Sequence, residues 1–549
     1  MRYLLIVSIA LCMSFAARAA DLTQVARVGV SVTEKKLTLA DAIEMALANN
    51  LDIEIERTNR DQAETAVGIA KGAFDPRLQF QPGYATNNTP TGSVLQGVDG
   101  KLSENTSTEN FYYKQKLPWW GSSVEVDFMN GRTTTTNLFS SLNPYFNSQL
   151  VADFTLPLLR NREIDPDRAN ILIRRKQRDV SLKDFEIRVI DIVTTVQQAY
   201  WDLVAAREDV DVQADAVALA AKQLAQDQRM IQSGTLAPIE LSASEAELER
   251  RKDSYYSSVG TLTEAENNLK TMLLADRRSE AWSDQLVPID TNTVEPLAAD
   301  DVHEAVADAL KRRPEMRQVA LRKDANQIDQ QLNSNQIKPQ VSFVGSYTST
   351  GLGGALSTAA NPFNSFQPVY DRLNQLSAAA GLAPLAESSL GSLPGSLIGG
   401  YGATLAGIFG GNYQSVQAGI QLDFTARNRA AQGNYTNTLI EAKRLKFEQS
   451  RTEQLIEAQV RNALQSIQTA RQRITSAETG ERAAREKLES ETRLFQTGES
   501  TNFFVLTRQN EYLDARRRAV LAHLDFNKAV ARLEQALGNT LPNHGVTLR

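Results

Sequence analysis

The sequence predicts a mainly α-helical protein that also carries transmembrane β-strands, arranged as two tandem structural repeats. Three observations predict it. The chain aligns with itself at an offset of 264 residues, and long stretches free of glycine and proline place apolar residues seven apart. Between them lie segments of about ten residues in which apolar and polar side chains alternate.

The first residues read as an address. Arg2 gives a positive start, Leu4 to Phe15 an apolar run, and Ala17, Arg18 and Ala19 a small-residue cleavage pattern, so residues 1–19 are predicted to be a signal peptide. The run is shorter than the roughly 20 apolar residues a membrane-spanning helix needs. Cys12, the only cysteine, falls inside it. The competing reading is a lipoprotein acylated at Cys12, against which stands the bulk of Leu11 where a small residue is usual. Cleavage at residue 19 leaves no thiol for disulfides or thiolate metal sites. It also removes two positive charges, Arg2 and Arg18, taking the formal net charge from −6 to −8. That mild acidity argues against a nucleic-acid partner. No other stretch is apolar enough for a membrane helix, so the exported chain is periplasmic, secreted or an outer-membrane β-barrel.

The duplication sets the domain plan. At the offset of 264, the segment starting at Arg229 (RMIQSGT) falls on the one starting at Arg493 (RLFQTGE), and Val196 meets Val460, Ala199 meets Ala463 and Leu269 meets Leu533. At 263, Ala42 meets Ala305, Pro76 meets Pro339, Phe80 meets Phe343 and Tyr84 meets Tyr347. Repeat 1 is predicted at 37–275, with strands at about 77–158 and a helical hairpin at about 167–275. A linker follows at 276–299. Repeat 2 is predicted at 300–541, with strands at about 339–425, an external insertion at 351–412 and a hairpin at about 430–538; residues 542–549 form a tail.

Within each copy the elements follow from local pattern. Thr38 and Asp41 have capping-box spacing ahead of the first helix. Val189, Val196, Leu203, Val210, Val217, Leu224 and Ile231 fall seven apart, beside a row of Ile192, Ala199, Ala206 and Ala220 interrupted by Gln213. The second copy repeats this with Val460, Ile467, Ile474, Leu488 and Phe495, beside Ile456, Ala463, Ala470, Ala477 and Ala484. A sustained seven-residue period implies a left-handed coiled-coil seam. The many Asp and Glu residues read as solvated faces of these helices.

Strand signals lie between the helices. Val416, Ala418, Ile420, Leu422 and Phe424 share one face of a strand whose other face is Gln417, Gly419, Gln421 and Asp423. Leu78, Phe80 and Tyr84, then Val341, Phe343 and Tyr347, then Ala152, Phe154, Leu156 and Leu158 repeat the pattern. Such alternation also suits a sandwich; export without membrane helices favours a barrel. A further hairpin is expected at Phe111–Leu117 and Val124–Phe128, turning at Pro118 to Gly121. Trp119 and Trp120 read either as an interfacial girdle or as buried packing. The insertion reads as a loop with helix around Tyr370 to Ala380.

Two tandem copies of helix, strands and long helical hairpin resemble the outer-membrane efflux protein family, the TolC-like channels. The resemblance runs from Leu37 to Leu541, and its sharpest carriers are LADAIEMALANN from Leu39, the segments at Gly234 and Gly498, and DFTARNRAAQ from Asp423. It implies a homotrimer in the outer membrane of a Gram-negative-type bacterium. Each chain would give four strands to a shared twelve-stranded barrel and helices to a periplasmic coiled-coil barrel. It further implies contact with outer-membrane lipid, docking onto a periplasmic adaptor, and through it an inner-membrane pump of an efflux or type I secretion system.

Gly234 and Gly498 each interrupt a long helix before a new one, marking the hairpin tips. Some family members narrow this end with acidic rings on the second tip. The matching positions here are Phe504 and Thr507, neither a carboxylate, while the first-tip equivalent of Phe504 is Glu240. Phe503 and Phe504 are therefore expected to form an apolar constriction, with hairpin packing or adaptor contact as the alternative.

No enzymatic function is expected. His303, His523 and His544 lie apart without metal-ligand spacing and read as helix or tail surface, and no nucleophile elbow, phosphate loop or dinucleotide fingerprint appears. No metal or cofactor is expected. The competing functions are a structural coiled-coil envelope protein, which leaves the strands unexplained, and a specific porin, which leaves the long helices idle.

Overall fold

The computed structural model describes residues 27–31, 33–92, 96–97, 99–235, 237–290, 301–358, 367–385 and 393–547. The signal peptide expected at 1–19, with Cys12, and residues 291–299 of the linker lie outside the described residues. The elements in chain order are β1 (Glu34–Leu37), α1 (Leu39–Asn49), α2 (Leu51–Lys71), β2 (Arg77–Pro90), β3 (Lys101–Lys116), β4 (Ser123–Thr135) and β5 (Leu142–Pro157). Then come α3 (Pro166–Gln232), α4 (Ile239–Leu273), β6 (Gln285–Pro288), α5 (Val302–Arg312), α6 (Pro314–Ile337), β7 (Gln340–Leu356) and α7 (Gln367–Ala379). The last are α8 (Tyr401–Phe409), β8 (Gln414–Asp423), α9 (Arg429–Thr497), α10 (Asn502–Leu537) and the single turn α11 (Thr540–Asn543). They divide into two compact units, one of Met1–Ala63, Gln177–Lys323 and Arg444–Arg549, the other of Glu64–Lys176 and Asp324–Lys443.

The second unit is built on one six-stranded sheet, ordered β2-β3-β4-β5-β7-β8, with every neighbouring pair antiparallel. The resemblance implied four strands, and among the described residues this sheet has six. The additional pair is the hairpin β3–β4, which the Phe111–Leu117 and Val124–Phe128 segments announced and which extends well beyond them. The expected insertion also begins later than 351, because β7 continues to Leu356; after it come α7 and α8.

Cross-strand register sorts the sheet into two chemically distinct faces. Leu78, Tyr113, Val126, Ala152, Tyr347 and Val416 pair in one continuous row across all six strands. The row one residue away, on the opposite face, is Arg77, Lys114, Glu125, Asp153, Ser346 and Gln417. Because side chains alternate along a strand, this register puts the apolar set on one side and the polar set, including the Lys114–Glu125 ion pair, on the other. β2 and β8 are the two edges, and every residue of both is exposed.

The first unit is helical around two apolar clusters. One gathers α1, α3 and α4 about Val193, Val196, Tyr200, Leu203 and Leu269; the other gathers α9 and α10 about Ile456, Val460, Phe526 and Leu533. Each fully buried aliphatic side chain of this kind contributes about 1.5–3 kcal/mol. Thr38 caps α1 as its spacing suggests, accepting from the Asp41 amide at 3.0 Å while Asp41 accepts from the Thr38 amide at 3.2 Å. β1 and β6 form a short parallel pair beside a buried ion pair, in which Lys270 meets Glu266 at 2.8 Å and Arg27 meets the other carboxylate oxygen.

The seam of α3 differs from a straight seven-residue row. Val189, Val196 and Leu203 are buried, but Val210, Val217 and Leu224 are only half-buried; Val212, Ala216, Ala220, Gln223 and Asp227 take over the inner stripe. A straight helix drifts about 20° per heptad, so a row that begins inside rotates out along a helix this long.

Candidate functional site

Both hairpins turn by the same device. At the end of α3 the Gly234 amide donates to the Ile231 carbonyl (3.0 Å) and the Thr235 amide to Met230 (2.9 Å). At the end of α9 the Gly498 amide donates to Phe495 (3.2 Å) and the Glu499 amide to Leu494 (2.9 Å). This is the Schellman pattern, and it needs the left-handed backbone that Gly234 and Gly498 adopt, at φ of 73° and 80°.

Beside these turns lies a buried polar cluster drawn from both hairpins. Asp227 of α3 is 0 % exposed. Its Oδ1 accepts from Gln223 Nε2 at 2.8 Å, and its Oδ2 accepts from Asn502 Nδ2 at 3.1 Å and from the Ser244 hydroxyl of α4. Asn502, the first residue of α10, also donates to Ser244 (3.1 Å) and accepts from Gln223 (3.0 Å). The four side chains satisfy one another, as polar groups without water must. Burial pushes the Asp227 carboxyl above its ordinary value, and the hydrogen bonds from Ser244, Gln223 and Asn502 offset this only in part.

The same place in the second hairpin is solved differently. Glu491 stands 264 residues after Asp227 and Arg508 the same distance after Ser244. Glu491 accepts from Ser500 and faces Arg508 at 3.8 Å, while Arg508 also grips Glu511 at 2.8 Å. The duplicated acid thus meets uncharged donors in one tip and a guanidinium in the other.

Sequence reasoning had assigned acidic residues to solvated faces, and here that needs correction. Asp227 extends the row Ile192, Ala199, Ala206, Gln213 and Ala220 by one more heptad, so its inward position was marked by period, though not by chemistry. Earlier in α3, Asp202 pairs with Lys528, Asp209 with Arg517 at 3.0 Å and Asp215 with Arg516 at 2.7 Å, joining α3 to α10. His544 is likewise held, between Gln197 and Glu534 (3.2 Å), and its neighbour Leu541 is buried.

The expected tip residues take distinct positions. Phe503 and Phe504 point away from the polar cluster, 68 % and 49 % exposed, with ring centroids 5.7 Å apart. Thr507 is half-buried and bonds back to the Phe503 carbonyl at 2.8 Å. Glu240 is half-buried in the first turn of α4, and its charge is felt at Asp227. The cluster brings Asp227, Gln223, Ser244 and Asn502 together, whereas the two phenylalanines stand on the outer side of the same turn of α10. Among the described residues no three His, Cys, Asp or Glu side chains gather as metal ligands. Nothing here is arranged as a nucleophile, base and oxyanion donor; the arrangement fixes the geometry of two helix turns.

Residues 305–539 match the family model for outer membrane efflux protein. No match was found among curated protein sequences. Among solved structures, the chain is similar in fold to the outer-membrane channel OprN, at 13 % identity and a TM-score of 0.61, covering 94 % of this chain and 95 % of that one. It is similar to the CmeC outer membrane channel of Campylobacter jejuni (13 %, TM-score 0.61, 91 % and 86 %) and to the open-state MtrE outer membrane channel of Neisseria gonorrhoeae (16 %, TM-score 0.55, 92 % and 89 %).

Proposed function

We propose that this chain, whose second repeat belongs to the outer membrane efflux protein family and whose full length has the fold of the outer-membrane channels, forms a trimeric exit duct. It lets solutes pass from a periplasmic adaptor and inner-membrane pump to the exterior, without chemistry of its own. The carrying observation is the six-stranded sheet with one apolar face, one charged face and two free edges. An open sheet cannot sit in lipid, because its edge amides and carbonyls would go unpaired. Six is an even number of alternating strands, so β2 and β8 run in opposite directions, and β8 of one copy can continue antiparallel onto β2 of the next. Three copies would close eighteen strands, a wider barrel than the twelve the resemblance implied.

In this reading the apolar face meets outer-membrane lipid and the face carrying Lys114, Glu125 and Asp153 lines the water-filled lumen. Trp119 and Trp120, both exposed in the turn between β3 and β4, join the belt's periplasmic girdle. The helices of 67 and 69 residues, each about 100 Å long at 1.5 Å per residue, supply the periplasmic tunnel. In the same reading, the exposed Phe503 and Phe504 at the second tip narrow its mouth. Outer-membrane fractions should contain heat-modifiable trimers that conduct in planar bilayers; a monomeric, non-conducting product in the soluble fraction would refute the duct.

A further inference from the structure

We infer that α8 is a membrane-contacting helix, clad on the apolar face of the sheet so that this face continues into the outer part of the bilayer. The inference rests on the reading of that face as lipid-facing. The apolar belt is short where α8 lies. On β7 it runs from Val341 through Phe343 to Tyr347 on alternate residues, about 20 Å along the strand and roughly 15 Å of height at the tilt usual in barrels. A lipid-facing band is about 25 Å tall. The same face turns polar on β7 at Ser349, level with Leu150 and Phe128, and one step further on at the paired Ser148 of β5 and Asn130 of β4.

α8 covers those three side chains, and all three are buried. The Ser349 hydroxyl donates to the Ile408 carbonyl at 2.8 Å, and the Tyr401 hydroxyl donates to Asn130 Oδ1 at 2.8 Å. The helix lies close to the strands because Gly351 and Gly353 vacate the seat. A methyl group at Gly351 would stand 2.0 Å from the Thr404 carbonyl oxygen, and one at Gly353 would stand 2.8 Å from the Thr404 hydroxyl. These polar side chains are thereby covered by a helix that has no charged residue, YGATLAGIF.

The outward side of α8 is what the belt lacks. Phe409 is 77 % exposed at the end of α8 and Tyr401 is 39 % exposed at its start, with Leu405 half-buried between them. An inner side that is buried and hydrogen-bonded at Ser349 and Asn130, and a charge-free apolar outer side continuous with a lipid-facing wall, fit an acyl-chain and headgroup boundary. An aqueous loop would not need to seal three polar side chains under an uncharged helix.

The test uses the full chain as trimers in liposomes, with nitroxide labels at Phe409→Cys, Ile420→Cys and Gln417→Cys made singly. Each replaced side chain lies on the surface, so the fold is retained. Relaxation by oxygen reports lipid, and relaxation by a water-soluble nickel chelate reports water. The expected result is that Phe409 and Ile420 labels both favour oxygen, several-fold over nickel, while the Gln417 label favours nickel. A Phe409 label open to nickel, or shielded from both relaxants by protein, overturns the assignment of α8 while leaving the barrel intact. An Ile420 label open to nickel overturns the barrel reading itself, and the α8 inference with it.

Discussion

Asn502 of the second hairpin donates its side-chain amide to Asp227 of the first, Nδ2 to Oδ2 at 3.1 Å, with both side chains buried. This bond ties α10 to α3 next to the two glycine turns. Leaving a buried partner unsatisfied costs about 1–3 kcal/mol. Asp227→Ala and Asn502→Ala should each loosen the tips by that order, read as faster amide exchange around 225–245 and 500–510. Because the two share one network, the double variant should lose less than the combined single losses. Strict additivity would mean that the bond is not formed in solution.

The cluster also predicts a pH dependence. Burial raises the Asp227 carboxyl above its ordinary 3.8, so the native state holds this proton more tightly than the unfolded chain. Its favourable contribution is complete below 3.8 and is lost as pH rises through the raised value. Glu534 behaves in the opposite sense. Burial alone would raise it, but hydrogen bonds from His544, Asn543 and Gln197 outweigh burial and hold it below its ordinary 4.5. Its contribution is present above 4.5 and is lost as pH falls through the lowered value. Thermal unfolding between pH 3 and 8 should therefore show Asp227→Asn gaining on the parent as pH rises, and Glu534→Gln losing to it. Parallel curves for parent and variants would remove both assignments.

Much of this architecture is legible in the sequence, because a period is a geometric statement. The offset of 264 residues predicts two hairpins, and Gly234 and Gly498 mark their turns by residue type alone. Alternation at Leu78, Phe80, Val341 and Phe343 similarly predicts which strand face is apolar. Strand number was less accessible. β3 reads LSENTSTEN through much of its length, with too little alternation to announce a strand, and it is held there by its register to β2 and β4. Asp227 was missed for another reason. Its position is periodic but its side chain is charged, and only the donors brought by Ser244 and Asn502 make that burial possible. Those donors lie 17 and 275 residues away in sequence.

The two faces of β8 predict opposite tolerances. Ile420 sits on the apolar face opposite Phe343, and Gln421, next in sequence, sits on the other face opposite Ser342. Placing a lysine on the lipid face of a barrel costs up to about 2–4 kcal/mol near the midplane, whereas the lumen accepts it. Ile420→Lys should reduce the yield of heat-resistant trimers in the outer membrane severalfold, and Gln421→Lys should leave it near the parent level. Equal yields would show that the faces are misassigned.

Lys270 and Glu266 form an ion pair of which each side chain is only 1 % exposed. Lys270 also donates to the Trp282 carbonyl at 2.7 Å, and Glu266 accepts from the Leu286 amide at 3.3 Å, so the pair holds β6 against α4. Breaking a buried pair costs about 3–5 kcal/mol, mainly through the charge left behind. Glu266 also pairs with Arg27, so Lys270→Met leaves it one cation, whereas Glu266→Gln strands two, Lys270 and Arg27. Glu266→Gln should therefore lower the unfolding temperature more than Lys270→Met does; an equal or reversed order would mean that the stranded charges are not the cause.

Phe503 and Phe504 give the last prediction, because their exposure bears on what they can do. Hairpin packing within the chain does not account for them: the buried side of this turn of α10 is Asn502, Val505 and Gln509, and the rings lie outside it. Exposed in the single chain, they are open to another copy, to the adaptor or to the pore axis. If they narrow the mouth, replacing both with alanine removes apolar bulk there and raises single-channel conductance, with no change in trimer yield. If they serve the adaptor instead, conductance of the isolated trimer stays at the parent value and only adaptor capture falls. The two measurements on one double variant therefore separate gate from dock, and an unchanged conductance sinks the gate.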